Sequence, residues 1–99
     1  MKLTTTAAAL LLALPLGAAA QDMATARSLA ATCANCHGTN GRSVGGMEPL
    51  AGMPKDEMVR KLGEFRSGAK PATIMHQLAK GYTDQQIEII AGYFAAQKR

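Results

Sequence analysis

Five consecutive residues, Cys33-Ala34-Asn35-Cys36-His37, constrain this chain more than any other feature. Two thiols in C-x-x-C spacing, followed at once by an imidazole, form the signature of covalent c-type haem attachment. Each part has its own chemical task. The thiols add across the two vinyl groups of one haem, and His37 brings its imidazole to the iron as an axial ligand. A chain built on this motif takes its reactivity from iron and itself supplies binding, orientation and electrostatics.

Other readings of the same residues are weaker. A redox dithiol calls for a βαβ setting, and no segment reads as a convincing strand. A zinc site would need Cys33, Cys36, His37 and His76, the only cysteines and histidines in the chain. Adjacent Cys36 and His37 bend poorly onto one tetrahedral metal. A Cys33–Cys36 disulfide closes too small a loop to add much stability.

The N-terminus reads as an export signal. Lys2 gives a positive start, Ala7 to Leu16 are apolar apart from Pro15, and Ala18-Ala19-Ala20 precede Gln21. This order predicts a signal peptide over residues 1–20, cleaved before Gln21, and a periplasmic product. The apolar run is shorter than the roughly 20 residues that span a bilayer, so no membrane span is expected. Removing 20 of the 99 residues leaves 79, which suits one domain over residues 21–99. So short a chain buries a small core and gains from a staple. The covalent haem is that staple, and the chain without it is expected to be largely unfolded.

Setting Lys2 aside leaves ten Lys and Arg against seven acidic residues. That slight basic excess does not suit nucleic acid, which calls for a clustered, strongly basic surface. It suits weak steering toward an acidic patch on a protein partner.

Periodicity predicts an all-α chain of about four helices. The first is expected over about Met23 to Cys36, with Ala26, Leu29 and Ala30 on one face. Residues 38–46, rich in Gly, Asn and Ser, read as loop, and Pro49-Leu50-Ala51-Gly52 closes it. Leu50 is placed to cover one face of the haem. A second helix starts near Pro54, carries Met58, Leu62 and Phe65 as its apolar stripe, leaves Arg60, Lys61 and Glu64 to solvent, and ends at Gly68. A loop from Pro71 leads into a short helix that stops at Gly81. Thr83 and Gln86 form a capping box for a last helix that buries Ile87, Ile90, Ala91 and Phe94.

The second axial position decides between electron carrier, sensor and haem enzyme. The candidates are Met23, Met47, Met53, Met58, Met75 and His76. Met23 is remote, Met58 reads as core, and Met47 and Met53 lie in or beside loops near the haem. Met75 leads, because the chain between it and His37 is long enough to pass around the ring and Pro71 stiffens the approach. His76 is its rival, since two imidazoles also give a stable low-spin iron.

These residues together resemble class I c-type cytochromes, of the cytochrome c4 and c553 branch. The resemblance rests on Cys33 to Gly38, Pro49 to Gly52, Leu62, Phe65, Gly68, Met75, Tyr82 to Asp84 and Tyr93-Phe94, and it covers the whole mature chain. Thr73 to Tyr82 is similar to the cytochrome subunits of flavocytochrome c sulfide dehydrogenases. The resemblance implies a small class I cytochrome c fold around one covalent haem c, with His37 and Met75 as axial ligands. It implies first and last helices that cross at the alanine and aromatic positions. The partner it implies is a flavoprotein sulfide dehydrogenase subunit or another redox protein. One departure is visible: relatives often have proline one residue removed from the haem-covering position, whereas here Pro49 directly precedes Leu50. The carbonyl that receives the His37 ring N–H is therefore open.

The function expected is one-electron transfer, without catalysis by the chain itself. Three versions compete: a permanent subunit of a sulfide-oxidising flavoprotein, a freely diffusing respiratory carrier, and a haem enzyme or sensor with an open iron site. Lys55, Arg60, Lys61, Lys70 and Lys80 are candidates for a basic ring that guides docking.

Overall fold

Amphipathic segments separated by glycine- and proline-containing loops fold into four α-helices, with no strand among the described residues. The computed structural model describes the backbone of residues 16–99 and the side chains of residues 22–99. The helices are α1 (Leu16–His37), α2 (Lys55–Ser67), α3 (Met75–Lys80) and α4 (Asp84–Ala95), and a single 3-10 turn (Thr39–Gly41) follows α1.

α1 begins well before the expected Met23. Ala18, Ala19 and Ala20 are the strongest helix formers, and no Gly or Pro interrupts the chain between them and Met23. The basic start of the export reading and its apolar stretch, apart from Leu16, lie in residues 1–15, outside the described residues. Cleavage before Gln21 would shorten α1 and leave intact the part that carries Leu29, Ala30 and Cys33.

The core sits where α1 meets α4. Ala30, Met53, Met58, Ile90, Ala91 and Phe94 form one buried cluster, and Leu29, Leu62 and Tyr93 pack against it. Small alanines on both helices let the backbones approach, and the Phe94 ring fills the remaining space. Full burial of Ile90 and Phe94 contributes about 1.5–3 kcal/mol each. Tyr93 stands edge-on to Phe94, with ring centroids 5.3 Å apart.

The helix ends follow local chemistry. Pro54 occupies the N-cap of α2, one position before the first helical residue, so its fixed φ orients the entry rather than the first turn. Asp56 and Glu57 lie in that first turn, where the helix dipole favours acids. Gly68 ends α2 in the left-handed conformation at φ 83°. The capping box of α4 is present in both directions: the Gln86 N–H donates to Thr83 Oγ1 at 3.1 Å, and the Thr83 N–H donates to Gln86 Oε1 at 2.9 Å.

Lys61 departs from expectation. Its side chain is only 18% exposed, because it bridges Glu48 and Glu57 instead of pointing into solvent. Periodicity assigned it to the outer face. The loop that carries Glu48 covers that part of α2.

Candidate haem site

α1, α2, α3, α4 and two loops enclose a cavity of about 300 Å³ with mainly apolar walls. Cys33, Cys36, His37, Leu50 and Met75, the five residues nominated from sequence, all line it. Met47, Met53 and Met58 also reach its wall. Met23 is exposed and His76 is not among the lining residues.

The motif works because it is helical. Cys33, Cys36 and His37 stand at i, i+3 and i+4 on the last turn of α1, so all three side chains share one face. Gly38 then turns the chain at φ 85°, which ends α1 directly after the histidine. Gly41 matters more. It is buried at φ 77°, and its carbonyl accepts N–H bonds from Leu50 at 2.9 Å and Ala51 at 3.2 Å. A Cβ there would lie 2.7 Å from the Ala51 nitrogen and 2.8 Å from the Phe94 ring. Only glycine permits that approach, and the approach carries Leu50 to the cavity.

His37 Nδ1–H donates to the Glu48 carbonyl at 2.6 Å. This answers the question left by Pro49: the acceptor is the residue before that proline, two before Leu50. A proton held on Nδ1 leaves the Nε2 lone pair free for a metal. The Glu48 side chain is fastened in turn. Its carboxyl lies below the usual range, chiefly because Lys61 donates a hydrogen bond to it, and the Lys61 ammonium is raised chiefly by the same bond. Burial pushes the Cys33 thiol up, against a smaller opposing effect from a backbone hydrogen bond. Cys36 is exposed.

Met75 is the first residue of α3. Next to it, His76 Nε2–H donates to the Lys70 carbonyl at 2.6 Å, and the imidazole lies 6.3 Å from the Phe65 ring. The four residues of the zinc reading do not converge. Among the described residues no three His, Cys, Asp or Glu side chains form a metal-binding group.

The expected basic ring is mostly neutralised. Lys55 pairs with Glu88 at 3.0 Å, Arg60 with Glu64 at 2.8 Å, and Lys61 with Glu48 and Glu57. Lys70 caps the Phe65 ring at 5.3 Å, and among the described residues neither Lys70 nor Lys80 has an ion-pair partner. Sequence reasoning missed Glu48 as acceptor and the Tyr93 hydroxyl, which donates to Asn40 Oδ1 at 2.6 Å. The first acts through its backbone and leaves no side-chain signature. The second had a signal: the hydroxyl of a half-buried tyrosine usually finds a partner.

The residues fit a covalently held haem. Two thiols, an orientated imidazole and a thioether border one cavity, and Leu50, Leu62, Phe65 and Ile90 supply apolar wall. Comparison with known proteins agrees. The cytochrome c family profile matches residues 23–97. The chain is similar to the cytochrome subunit of sulfide dehydrogenase of Chlorobaculum tepidum, 38% identical over 67% of this chain and 60% of that protein. It is similar to cytochrome c4 of Pseudomonas aeruginosa, 35% identical over 81% of this chain and 40% of that protein. It is also similar to cytochrome c-554(548) of Halomonas halodenitrificans, 30% identical over 80% of this chain and 100% of that protein. The chain thus covers less than two thirds of the first two relatives and the whole length of the third. With a helical fold, an attachment motif on the wall of an apolar cavity and this profile match, the chain belongs to the cytochrome c family, as a class I member with covalent haem c.

Proposed function

We propose that the chain is a periplasmic single-haem electron carrier with His37 and Met75 as axial ligands and Cys33 and Cys36 as thioether anchors. In this reading it serves as the electron-accepting cytochrome subunit of a flavoprotein that oxidises sulfide. The observation that carries the ligand assignment is the cavity itself, which His37 enters from the end of α1 and Met75 from the start of α3. His76, the rival, has its Nε2 proton committed to the Lys70 carbonyl. That bond holds the imidazole toward Lys70, and His76 is absent from the cavity wall that Met75 lines.

When bound, the haem supplies a one-electron iron couple, and a thioether ligand raises its potential relative to a second imidazole. The chain does the rest. The Glu48 carbonyl fixes the tautomer and orientation of His37. Leu50, Leu62 and Phe65 keep water from the apolar wall. Met47 and Ile74, 46% and 54% exposed, line the same cavity and put apolar surface at its rim. Lys70 and Lys80 add positive charge suited to an acidic partner patch.

The similarity to a sulfide dehydrogenase subunit supports the choice of partner. Two measurements test the reading. The oxidised holoprotein should show the weak far-red thioether-to-iron band, and Met75→Ala should abolish it; a band that survives that substitution overturns the assignment. The secreted holoprotein should co-purify with a flavin-containing subunit and be reduced by it when sulfide is added. A monomer that exchanges electrons rapidly with several donors, and captures no flavin, would make it a diffusing carrier instead. Carbon monoxide binding to the native reduced protein at neutral pH would indicate an open iron site.

A further inference from the structure

His76 is spent neither on the cavity nor on the core, yet its side chain is fastened at two points beside Met75. Its Nε2–H reaches back six residues to the Lys70 carbonyl at 2.6 Å. Its ring tilts against Phe65, with centroids 6.3 Å apart, and the Lys70 ammonium lies over the same Phe65 ring at 5.3 Å. The three residues close a cycle: Phe65 to Lys70 through the ammonium, Lys70 to His76 through the carbonyl, and His76 to Phe65 through the rings. The Lys70 N–H joins this cycle to the end of α2, donating to the Glu64 carbonyl at 3.3 Å.

Among the described residues, no hydrogen bond ties residues 71–73 to another segment, and the Ile74 carbonyl is used only by the first turn of α3. α3 has six residues, well below the length at which a helix is stable by itself. The loop nevertheless forms part of the cavity wall, and Met75 follows directly from it.

From this geometry we infer that His76 is a positioning residue for Met75: its hydrogen bond to the Lys70 carbonyl latches the 70–75 loop against Phe65 and keeps the thioether at the cavity. The inference rests on the proposed Met75 ligation. It assigns His76 a role distinct from that of ligand.

The test compares the holoprotein with Met75→Ala, His76→Phe and His76→Gln. The phenylalanine keeps a ring against Phe65 and removes the donor, whereas the glutamine keeps an N–H donor at similar reach. The readouts are the far-red thioether band, the rate at which added imidazole enters the oxidised protein, and the denaturant midpoint. Loss of one hydrogen bond predicts imidazole entry about five- to tenfold faster in His76→Phe, with recovery toward the parent rate in His76→Gln. Parent-like entry and an unchanged band in His76→Phe would overturn the latch. So would a lowered midpoint without faster entry, since that is what mere packing would give. If Met75→Ala leaves the band in place, the ligand assignment itself has failed, and the latch with it. In the unaltered holoprotein, the His76 Nε2 proton should give a slowly exchanging resonance coupled to the Lys70 carbonyl, and a freely exchanging proton would also overturn the proposal.

Discussion

The histidine side and the methionine side of the cavity are built on different principles. On the histidine side, the loop after α1 is tied to distant parts of the chain. The Gly52 N–H donates to the Phe94 carbonyl at 2.8 Å, Tyr93 reaches Asn40, and Arg42 Nε–H donates to the Lys98 carbonyl at 2.8 Å. On the methionine side, the bonds that hold the approach to Met75 are local, from Glu64 to Lys70 and from Lys70 to His76. The longer ties, from Arg66 to the Tyr82 carbonyl and to Asp84, lie beyond the end of α3. Long-range ties are lost only when the core opens, whereas local ones can open alone. Under the proposed ligation by His37 and Met75, ligand exchange should therefore begin at Met75 while His37 stays in place.

The sharpest way to break this contrast is at Gly41, where the histidine side is fused to the core. Gly41→Ala adds a Cβ against the Ala51 backbone and the Phe94 ring at a left-handed φ. Backbone strain and overpacking together should cost about 3 kcal/mol. A denaturant titration of the holoprotein should show the whole fold melting early, with no separate early loss of the thioether band. Loss of that band alone, well before the fold, would mean that the two sides are not built as described.

How much of this was legible in the sequence follows the same division. C-x-x-C-H, the capping box at Thr83 and the stripe ending at Phe94 are local patterns, and each is found where it was expected. The start of α1 was not, because alanines extend a helix without adding periodicity. The acceptor for His37 was invisible, since any residue offers a carbonyl and only the path of the loop selects Glu48. Lys61 looked solvent-facing because helical spacing cannot show which loop lies across a face. In sequence alone His76 is a rival ligand, since a histidine beside a methionine has the right chemistry. Its commitment to Lys70 depends on a turn that the sequence does not spell out.

Tyr93→Phe is a milder cut on the histidine side. It removes the bond to Asn40 and leaves the ring against Phe94 in place. The loss should be about 1 kcal/mol, read as a lower denaturant midpoint. Imidazole entry at Met75 should stay at the parent rate, the reverse of the pattern expected for His76→Phe. Equal acceleration in both variants would show that the two sides open as one unit.

The smallest effect is expected from charge at the methionine side. Lys80 ends α3 and has no ion-pair partner among the described residues, unlike Lys55, Arg60 and Lys61, whose charges are met within the chain. A free cation contributes to steering, whereas a paired one largely cancels. Lys80→Gln should therefore slow reduction by an acidic donor about twofold at low salt, an effect that fades near 0.15 M as screening shortens to about 8 Å. Lys55→Gln, which leaves Glu88 uncompensated, should slow the same reaction only if the donor docks across α2 and α4 rather than against α3. Rates measured for both variants over a salt series would thus locate the docking face. A larger loss for Lys55→Gln than for Lys80→Gln would move that face away from the Met75 loop.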